Sequence, residues 1–511
     1  MVKLRQNLKI FNYRPLVLVF LSLISGILTA VFCDKYTLIV IFTAIACVGI
    51  IIFYSIIHKS FKYILITFLT FCIGFGGYNL FMYNAMHTSN NFTNSIMQGE
   101  VIKVTNRGYY LDVVLTDIVA ENEKIDYNVL LKYNNAKQVG YIDLNEGDII
   151  EFSVVSQNPI NYINNDQLPN LYVINDNIGA LVTSNEVKII GQHNTIRLTL
   201  LNRLRNNLRY GLDNFNGEMI YSAMFGDKDE FNTQLRESYN TAGLAHLLAV
   251  SGLHVGLIVG IIYLILKRLK VKDWIRVLIL GLLLLGYGYI CNFSYSVVRA
   301  SIMALILLIS SLFYSEYDLL SSICLAGCIV LILNPTALFD LGALLTFACV
   351  FGICLLYPLF SRLLSKFKIK NSITDSMAIS ISIFISIAAI MAYFFNNLQP
   401  VSILANIIFI PIFSILFTIC FIVAIISLII PYISYTLILV NPVLSWFNWL
   451  VTWVASISIG IPTIDVNYLT ILLWFTFISF VSHYYLKLYS TKLTLCSLIF
   501  LIISVQVYCI Q

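Results

Sequence analysis

The sequence predicts a polytopic α-helical membrane protein of about 13 transmembrane helices, with one inserted extracytoplasmic β-domain. Three observations support this fold class. Of 511 residues, 59% are hydrophobic and only 11% are charged, a balance foreign to soluble proteins of this length. Apolar runs close to the roughly 20 residues that span a bilayer recur along the chain. Residues 88–195 instead alternate short β-type runs with turn residues.

Residues 1–87 are predicted to form three N-terminal transmembrane helices, because three apolar runs occur there, at about 16–33, 37–57 and 63–84. Basic residues precede the first run, and no small-residue cleavage site follows it. We therefore expect a retained first helix rather than a signal peptide, with the N-terminus in the cytoplasm and the third helix leading outside.

Residues 88–195 are predicted to form a small extracytoplasmic β-barrel, with an OB-type barrel as one candidate. The expected strands are 99–105, 109–119, 127–133, 148–155, 171–174 and 179–183. This region contains 13 acidic and 6 basic residues, whereas grooves that bind single strands are normally basic. The composition therefore argues against a strong nucleic-acid surface on this domain.

Residues 196–240 are predicted to form a basic amphipathic helix followed by a polar hinge. Leucines recur every three or four residues, and arginines occupy intervening positions: Arg197, Arg203, Arg205 and Arg209. Such a helix could lie on lipid headgroups, or its arginines could form a collar of phosphate contacts. The hinge that follows contains Gly226 and Asp227.

Residues 241–511 are predicted to form a transmembrane domain with the C-terminus outside. Ten apolar runs occur here, at about 244–266, 277–292, 297–314, 319–333, 338–358, 374–395, 401–430, 433–457, 466–486 and 493–510. Three basic clusters between them all fall on the cytoplasmic side, which supports the helix count. Pro411 interrupts one run, which predicts either a kink or a broken, re-entrant helix.

The segment from Thr241 to Leu257 is polar for a membrane region and reads Thr-Ala-Gly-Leu-Ala-His-Leu-Leu-Ala-Val-Ser-Gly-Leu-His-Val-Gly-Leu. Polar side chains at membrane depth normally face a protein interior or a watery cavity, and glycines allow helices to approach closely. An interhelical hydrogen-bond cluster would explain these residues equally well. The other explanation is that these residues line a channel. On that hypothesis the channel-lining residues are Gly243, His246, Ser251, Gly252, His254 and Gly256.

Arg299 and Asn406 extend the expected channel lining. Arg299 lies within an apolar run, where an unpaired guanidinium costs roughly 2.5–3.5 kcal/mol on insertion scales. It could form an ion pair with Asp340 or Asp227, or it could contact phosphate, which suits its planar fork. Asn406 precedes Pro411 and could cap a broken helix on a substrate path.

Residues that would carry catalysis are scarce. The sequence lacks HExxH, HxHxDH and the Walker A lysine motif. The stretch from Ala249 to Gly252 faintly resembles the Gly-x-Ser-Gly of rhomboid intramembrane proteases, with Ala at the first position. The cysteines show no CxxC pair, and two histidines eight residues apart are a poor metal site. We therefore expect a channel or transporter rather than an enzyme, with no catalytic residue, metal or cofactor.

The stretch from Gly243 to Gly256 closely resembles the signature of the ComEC family, Gly-x-x-His-Leu-Leu-Ala-hydrophobe-Ser-Gly-Leu-His-hydrophobe-Gly. Three shorter matches occur in the same order as in that family: Gly226-Asp227, Val298-Arg299-Ala300 with Met303, and Asn406 with Pro411. Two departures are evident. The family's Gly-Phe-Gln-Leu-Ser-Phe is Gly342-Ala343-Leu344-Leu345-Thr346-Phe347 here, without the glutamine, and the family's β-lactamase-like domain with HxHxDH is not found in this sequence.

The resemblance implies an inner-membrane channel that internalises single-stranded DNA during natural transformation. It also implies partners: single-stranded DNA, a DNA receptor and a cytoplasmic helicase-like ATPase as motor. A separate nuclease and a homodimer are further partners that we consider. If the resemblance holds, the arginines of the amphipathic helix are candidate contacts to DNA phosphates. A secondary transporter of a small or lipid-like solute is the main alternative, and an intramembrane serine hydrolase using Ser251 is the third.

Overall fold

The computed structural model describes most of the chain, namely residues 15–32, 61–86, 92–106, 110–120, 123–133, 144–164, 168–193, 195–226, 233–312, 318–366, 371–458, 460–462 and 468–481. The chain divides into two compact units. The β unit comprises residues 21–204 and 331–340, and the helical unit comprises residues 1–20, 205–330 and 341–511. The domain boundaries expected from the sequence stay predictions.

The described residues are mostly helical. The helices are α1 Pro15–Phe32, α2 Phe61–Ala85, α3 Leu171–Asn175, α4 Ile196–Arg209, α5 Asn214–Phe225, α6 Thr233–Thr241, α7 Gly252–Arg268, α8 Asp273–Ile290, α9 Tyr295–Leu312, α10 Leu319–Leu333, α11 Leu341–Leu364, α12 Asn371–Phe395, α13 Ser402–Ser427, α14 Asn441–Ile457 and α15 Tyr468–Val481. Three 3-10 helices cover Ala245–Leu248, Pro335–Phe339 and Pro431–Leu439.

A mixed sheet forms the separate β-domain. Its strands are β1 Ile96–Asn106, β2 Leu111–Ala120, β3 Glu123–Lys124, β4 Asn128–Tyr133, β5 Asp148–Ser153, β6 Ser156–Asn158, β7 Ile178–Ser184 and β8 Val187–Gln192. A two-stranded pair, β9 Asn397–Leu398 and β10 Ile461–Pro462, belongs to the helical unit. The expectation of a strand at 171–174 is wrong, because these residues form α3, whose Val173 packs as part of a buried cluster with Val114 and Leu130.

The strand pairings of the β-domain form a closed circuit. β1 pairs antiparallel with β2, β2 antiparallel with β4, and β4 parallel with β7. β7 then pairs with β6, and β5 pairs with β1. Between β5 and β6, the Val154 N–H donates to the Ser95 carbonyl at 2.9 Å and the Val155 N–H donates to the Thr183 carbonyl at 2.9 Å. These two consecutive residues bond to opposite neighbours and so close the circuit.

The interior of this circuit is apolar because inward positions of the strands carry large hydrophobic side chains. Met97, Leu115, Leu131 and Phe152 are essentially inaccessible to solvent and belong to one cluster. Alternation of buried and exposed side chains along a strand places one face toward such a core. β1 is irregular at two positions in its pairing with β2, and bulges of this kind bend a strand so that it can pair on both sides.

Two N-terminal helices of the β unit approach each other through glycines. A Cβ atom on Gly26 of α1 would lie 2.3 Å from the Phe71 carbonyl oxygen. A Cβ atom on Gly74 of α2 would lie 2.4 Å from the Leu23 carbonyl oxygen. The contact is thus reciprocal, and it brings the two backbones within van der Waals distance. Glycine at both positions is what permits it.

Five helical segments among the described residues are long and apolar enough to cross a membrane: Leu65–Ala85, Asp273–Ile290, Leu341–Leu364, Ile373–Phe395 and Ser402–Ser427. The bent pair of Pro431–Leu439 and Asn441–Ile457 would make a sixth. A mostly helical chain with these spans and a separate sheet domain fits a polytopic membrane protein. The count of 13 stays a prediction, and the runs expected at 37–57 and 493–510 lie outside the described residues.

Helix α13 runs without a break from Ser402 to Ser427, although Pro411 lies inside it. Of the two alternatives predicted for this proline, the broken helix is therefore not found. The chain bends instead by 53° between the 3-10 helix at Pro431–Leu439 and α14, within the single run expected at 433–457. The reason is local, since Pro431 and Pro442 each lie in the first turn of a new element, where a proline is tolerated.

The glycine contact between α1 and α2 gives a first testable prediction. Gly74→Ala should lower the thermal unfolding midpoint of the purified protein, because its methyl group would overlap the Leu23 carbonyl and overpacking costs roughly 1–3 kcal/mol. Gly76→Ala is the matched control on the same helix, since nothing lies within 4 Å of its added Cβ. Equal midpoints for the two variants would contradict the close approach.

Candidate functional site

The polar segment 241–257 is not one continuous helix. Helix α6 ends at Thr241, a 3-10 helix covers Ala245–Leu248, and α7 begins only at Gly252. The span expected from residue 244 is therefore wrong over its first eight positions. Ser251 has extended backbone angles and acts as the N-cap of α7, and serine at an N-cap satisfies amide groups that the first helical turn leaves open.

Gly243 forms the turn between α6 and the 3-10 helix. Its φ of +73° lies in the left-handed region, where other residues are strained. A Cβ atom at this position would lie 2.3 Å from Cβ of Ser402, the first residue of α13. The turn is thus pressed against the start of α13, and both the backbone angle and the space require glycine.

His254 completes the cap of α7. The Ser251 backbone N–H donates to His254 Nδ1 at 3.1 Å, and the Ser251 Oγ lies 3.2 Å from the same nitrogen. In return, the Ser251 side chain accepts from the His254 backbone N–H, so the two residues form a capping box. The imidazole is fully buried, with its ring centroid 4.4 Å from that of Phe417 and 5.9 Å from that of Phe413 on α13.

The other expected lining residues of this segment lie in more open surroundings. His246, on the 3-10 helix, is exposed. Gly252 and Gly256 are also exposed: the nearest atom to a Cβ on Gly252 is the Ala300 Cβ at 3.9 Å, and nothing lies within 4 Å at Gly256. Among the described residues, no group of three or more histidine, cysteine or acidic side chains could hold a metal.

Arg299 is buried within the helical unit and links two helices. From α9, its Nη2 donates to the Gly342 carbonyl at 2.8 Å and to the Thr346 Oγ1 at 2.9 Å on α11. The guanidinium also lies 5.6 Å from the centroid of the Phe347 ring. These contacts join residues 298–300, the Val-Arg-Ala match, to residues 342–347, where this sequence lacks the glutamine of the ComEC family. Asp227, one of the two acidic partners considered for Arg299, lies outside the described residues.

Asn406 lies one turn into α13 and is half-buried. Its Oδ1 accepts no hydrogen bond from any residue that the structure describes. Four residues earlier on α13, Ser402 touches the Gly243 turn; further along, Phe413 and Phe417 contact His254. Spacings of four and seven residues repeat on one face of a helix, so Asn406 shares the face that meets the signature segment.

Gly226 ends α5 with a φ of +83°, and its N–H donates to the Ser222 carbonyl at 2.8 Å. The Ser222 Oγ donates to the Leu248 carbonyl at 3.0 Å, which ties α5 to the 3-10 helix of the signature segment. The polar hinge expected at 217–240 is instead helical over much of its length, in α5 and α6, and Gly226 is the C-cap of α5. The second residue named for the hinge, Asp227, cannot be placed because it lies outside the described residues.

The arginines of α4 are largely engaged in ion pairs. Arg205 forms a two-pronged contact with Glu218 of α5, at 3.0 and 2.6 Å, and Arg209 reaches the same carboxylate at 2.8 Å. Arg197 pairs with Glu146 at 2.9 Å. Arg203 is exposed and has no ionic partner in the described parts of the chain. A phosphate at Arg205 or Arg209 would have to compete with Glu218.

A polar cluster in the helical unit, buried at Tyr239, Asn216 and Asn448, was not expected from the sequence. The Tyr239 hydroxyl donates to Asn448 Oδ1 at 2.7 Å, and Asn448 Nδ2 donates to Asn216 Oδ1 at 2.7 Å. Asn216 in turn donates to Asn441 Oδ1 and to Ser445 Oγ, each at 2.8 Å. The sequence did contain a signal for this cluster: polar residues occur at 441, 445 and 448, and this spacing places them on one face of α14.

Helix α14 thus turns its polar face inward. Its exposed face carries three of the chain's five tryptophans, Trp446, Trp449 and Trp453. The buried Asn448 is paired with Asn216 of α5 and Tyr239 of α6, so its burial is satisfied. This reverses the arrangement in soluble amphipathic helices, and an apolar surrounding on the outside accounts for it.

The four sequence matches therefore meet in one region of the helical unit. Gly243 touches the start of α13, which carries Asn406. Gly252 lies beside Ala300, the neighbour of Arg299. Arg299 reaches α11 at Gly342 and Thr346. Sequence reasoning selected most of these residues, but it did not identify the partners that hold them.

Comparison with known proteins shows a family for this chain. Residues 223–489 match the protein family described as Competence protein. ComE operon protein 3 of Bacillus subtilis (strain 168) is 26% identical over 248 residues. That alignment covers 48% of this chain and 30% of the relative, so the chain matches less than a third of that protein's length. No solved structure matches the chain.

The Gly243 turn gives a second prediction. Gly243→Ala should reduce the amount of folded protein in the membrane and its unfolding temperature, because the left-handed angle alone costs roughly 1–3 kcal/mol for a residue with a side chain. Gly252→Ala is the control within the same segment, since its methyl group would meet only Ala300 at an ordinary distance. A Gly243 variant as stable as the Gly252 variant would refute the contact with Ser402.

The arginines of α4 give a third prediction. Arg205→Gln should destabilise the protein by roughly 1–3 kcal/mol, because the buried Glu218 carboxylate loses a two-pronged partner. Arg203→Gln should leave stability unchanged within about 0.5 kcal/mol, as an exposed arginine without an ionic partner contributes little. Thermal unfolding of both variants at equal ionic strength checks this, and equal losses would be inconsistent with the pairing.

Proposed function

Because the chain belongs to the Competence protein family, that is, the ComEC family, we propose that it is a cytoplasmic-membrane channel that internalises single-stranded DNA during natural transformation. The observation that carries the proposal is the meeting of the family's separate sequence matches in one region of the helical unit. The turn at Gly243, the cap at Ser251 and His254, and Arg299 are linked through α13 and α11.

Polar groups in this region suit passage of a hydrated polymer. Arg299 and His254 are buried among helices, and Asn406 presents an amide on a mostly apolar helix. Ionisable and polar residues at such depth are costly and mark substrate paths in membrane proteins. A conduit must bind its cargo strongly enough to admit it and weakly enough to release it. Channel-lining roles for the remaining signature residues are part of this proposal.

The β-domain contributes a second element. We propose that its closed strand circuit is an OB-type barrel on the outer side of the membrane, within a fold of about 13 spans. The order β1–β2–β4–β7–β6, with β5 returning to β1, supports this type. Its acidic composition suggests weak binding to DNA, so capture of the strand is not assigned to this domain.

Energy and delivery would come from partners. We propose a DNA receptor outside and a helicase-like ATPase in the cytoplasm, since a nucleotide-binding loop is not found in this sequence. A separate nuclease and a second copy of the chain belong to the same proposal. Phosphate contact by α4 is best assigned to Arg203, because Arg205 and Arg209 already hold Glu218.

The Ser251–His254 distance of 3.2 Å invites comparison with a serine hydrolase. The geometry disfavours that function, because Nδ1 also accepts the Ser251 backbone N–H and Ser251 Oγ also accepts the His254 backbone N–H. Both groups are used to begin α7. A small-solute transporter remains the competing function, and DNA uptake distinguishes it from the proposal.

The proposed function is tested by natural transformation. Deletion of the gene from its naturally transformable host should abolish transformation by linear DNA, and the wild-type chain should restore it. Arg299→Lys retains the charge but loses the planar guanidinium fork. It should restore uptake to a level about tenfold below that of the wild-type chain, per molecule of protein. Plasmid delivery by electroporation, which bypasses uptake, is the control and should be unaffected. Undiminished transformation in the deletion strain would refute the channel and favour solute transport.

A further inference from the structure

Helix α13 and the bent pair that follows it form a hairpin. α13 ends at Ser427, and the bent pair begins at Pro431. After the bent pair, Ile461 pairs with Leu398, just before the start of α13. The bent pair therefore leads from one end of α13 back to the other. Because α13 has 26 residues, these ends lie about 39 Å apart, more than the roughly 30 Å of a hydrocarbon core.

The polar stretch between α4 and the signature segment extends over the same distance. At one end, the Asn207 side chain donates to the carbonyl of Ser427, the last residue of α13, at 3.0 Å. At the other end, the Gly243 turn packs against Ser402, the first residue of α13. The chain between Asn207 and Gly243 therefore passes from one end of a candidate span to the other.

Contacts with α14 occur in the same order along this stretch. The Asp213 N–H, at the start of α5, donates to Asn441 Oδ1 at 3.2 Å, where α14 begins. The Ser458 Oγ, directly after α14, donates to the Thr241 carbonyl at 3.1 Å, where α6 ends. The short helices α5 and α6 thus lie beside α14, within the length of the hairpin. Hydropathy did not identify this passage because many of its residues are polar.

Helix α6 is amphipathic, and its two faces have different surroundings. Leu235 and Tyr239 are buried, and the Tyr239 hydroxyl reaches Asn448 of α14. The opposite face is exposed and carries four polar side chains: Gln234, Arg236, Glu237 and Asn240. In the described parts of the chain, neither charged residue of this face forms an ion pair.

The depth of α6 determines what can surround its exposed face. Phe447, next to Asn448, contacts Phe409 of α13 with ring centroids 5.3 Å apart. The Tyr239 hydroxyl is therefore bound two turns into α13, about 10 Å from its end. Arg236 lies almost one turn earlier in α6, farther from that end. Charged residues at membrane depth face a protein interior or a water-filled cavity, and this face is not covered by protein in the described residues.

We propose that α5 and α6 form a broken membrane crossing beside α14, and that the exposed face of α6 lines the water-filled path of the transported strand. Arg236 would contact phosphodiester oxygens on this path. The inference rests on the proposed function. Broken helices recur where a substrate path crosses the membrane, and a guanidinium binds two phosphate oxygens and stays charged. Glu237 beside it keeps the attraction weak, so the strand is released again.

Cysteine accessibility tests whether the face is open to water. Gln234→Cys and Asn240→Cys should react with a membrane-impermeant, negatively charged methanethiosulfonate in membranes opened to both sides, and oligothymidylate should slow the reaction. The attached negative group should lower transformation. Leu282→Cys is the control, because this exposed residue lies on a candidate span of apolar composition and should not react. The unsubstituted chain gives the background from its own cysteines.

Substitution of Arg236 tests the phosphate contact. Arg236→Gln should lower transformation per molecule about tenfold, as expected for a lost charged hydrogen bond, without lowering the amount of folded protein. Arg236→Lys should lie between Arg236→Gln and the wild-type chain, because it keeps the charge but not the fork. Arg268→Gln, at an exposed arginine in the last turn of α7, is the matched control and should transform normally.

The outcomes separate this inference from the proposed function. An absence of reaction at both cysteines, or a reaction that leaves transformation unchanged, overturns the path along α6. Equal transformation by Arg236→Gln and Arg268→Gln overturns the phosphate contact. If the wild-type chain fails to restore transformation, the proposed function fails, and the labelling with its protection by oligothymidylate still decides whether the face is open to water and to the strand.

Discussion

The start of α7 is the constraint on which the candidate site depends. Ser251 and His254 exchange two hydrogen bonds and thereby end the irregular segment that precedes the helix. If the helix began earlier, at the first apolar residue, Leu248 would not offer its carbonyl to Ser222 and Val250 would not lie against Gly226. A cap made by side chains at two fixed positions therefore determines where a whole set of neighbours makes contact.

Hydropathy predicted the existence of most helices well because burial in an apolar phase depends on composition over about 20 residues. The run at 319–333 coincides with α10, and that at 374–395 lies within α12. Helix boundaries that depend on single side chains were harder to predict from the sequence. The late start of α7 depends on a histidine three residues after its cap, a position where glutamate or glutamine is the usual partner.

Residue choice in the candidate site could be predicted because polar residues and glycines are rare in apolar runs. Their partners could not, since these come from distant parts of the chain. Nothing near Gly243 in the sequence indicates that it packs against Ser402. Nothing near Arg205 indicates that it forms an ion pair with Glu218. The inward polar face of α14 was visible as a spacing, but its meaning depended on Asn216 and Tyr239 in α5 and α6.

The junction of β5 and β6 has a consequence for how the β-domain folds. β1, β2 and β4 can form a local meander as soon as they are made, but the free edge of β4 is completed only by the parallel strand β7. Until β7 is synthesised, that edge is an open template for pairing with other chains. Val154 and Val155 likewise gain both neighbours only then. Non-local pairing of this kind slows folding and exposes intermediates to aggregation, so we expect this domain to need chaperone protection during biogenesis.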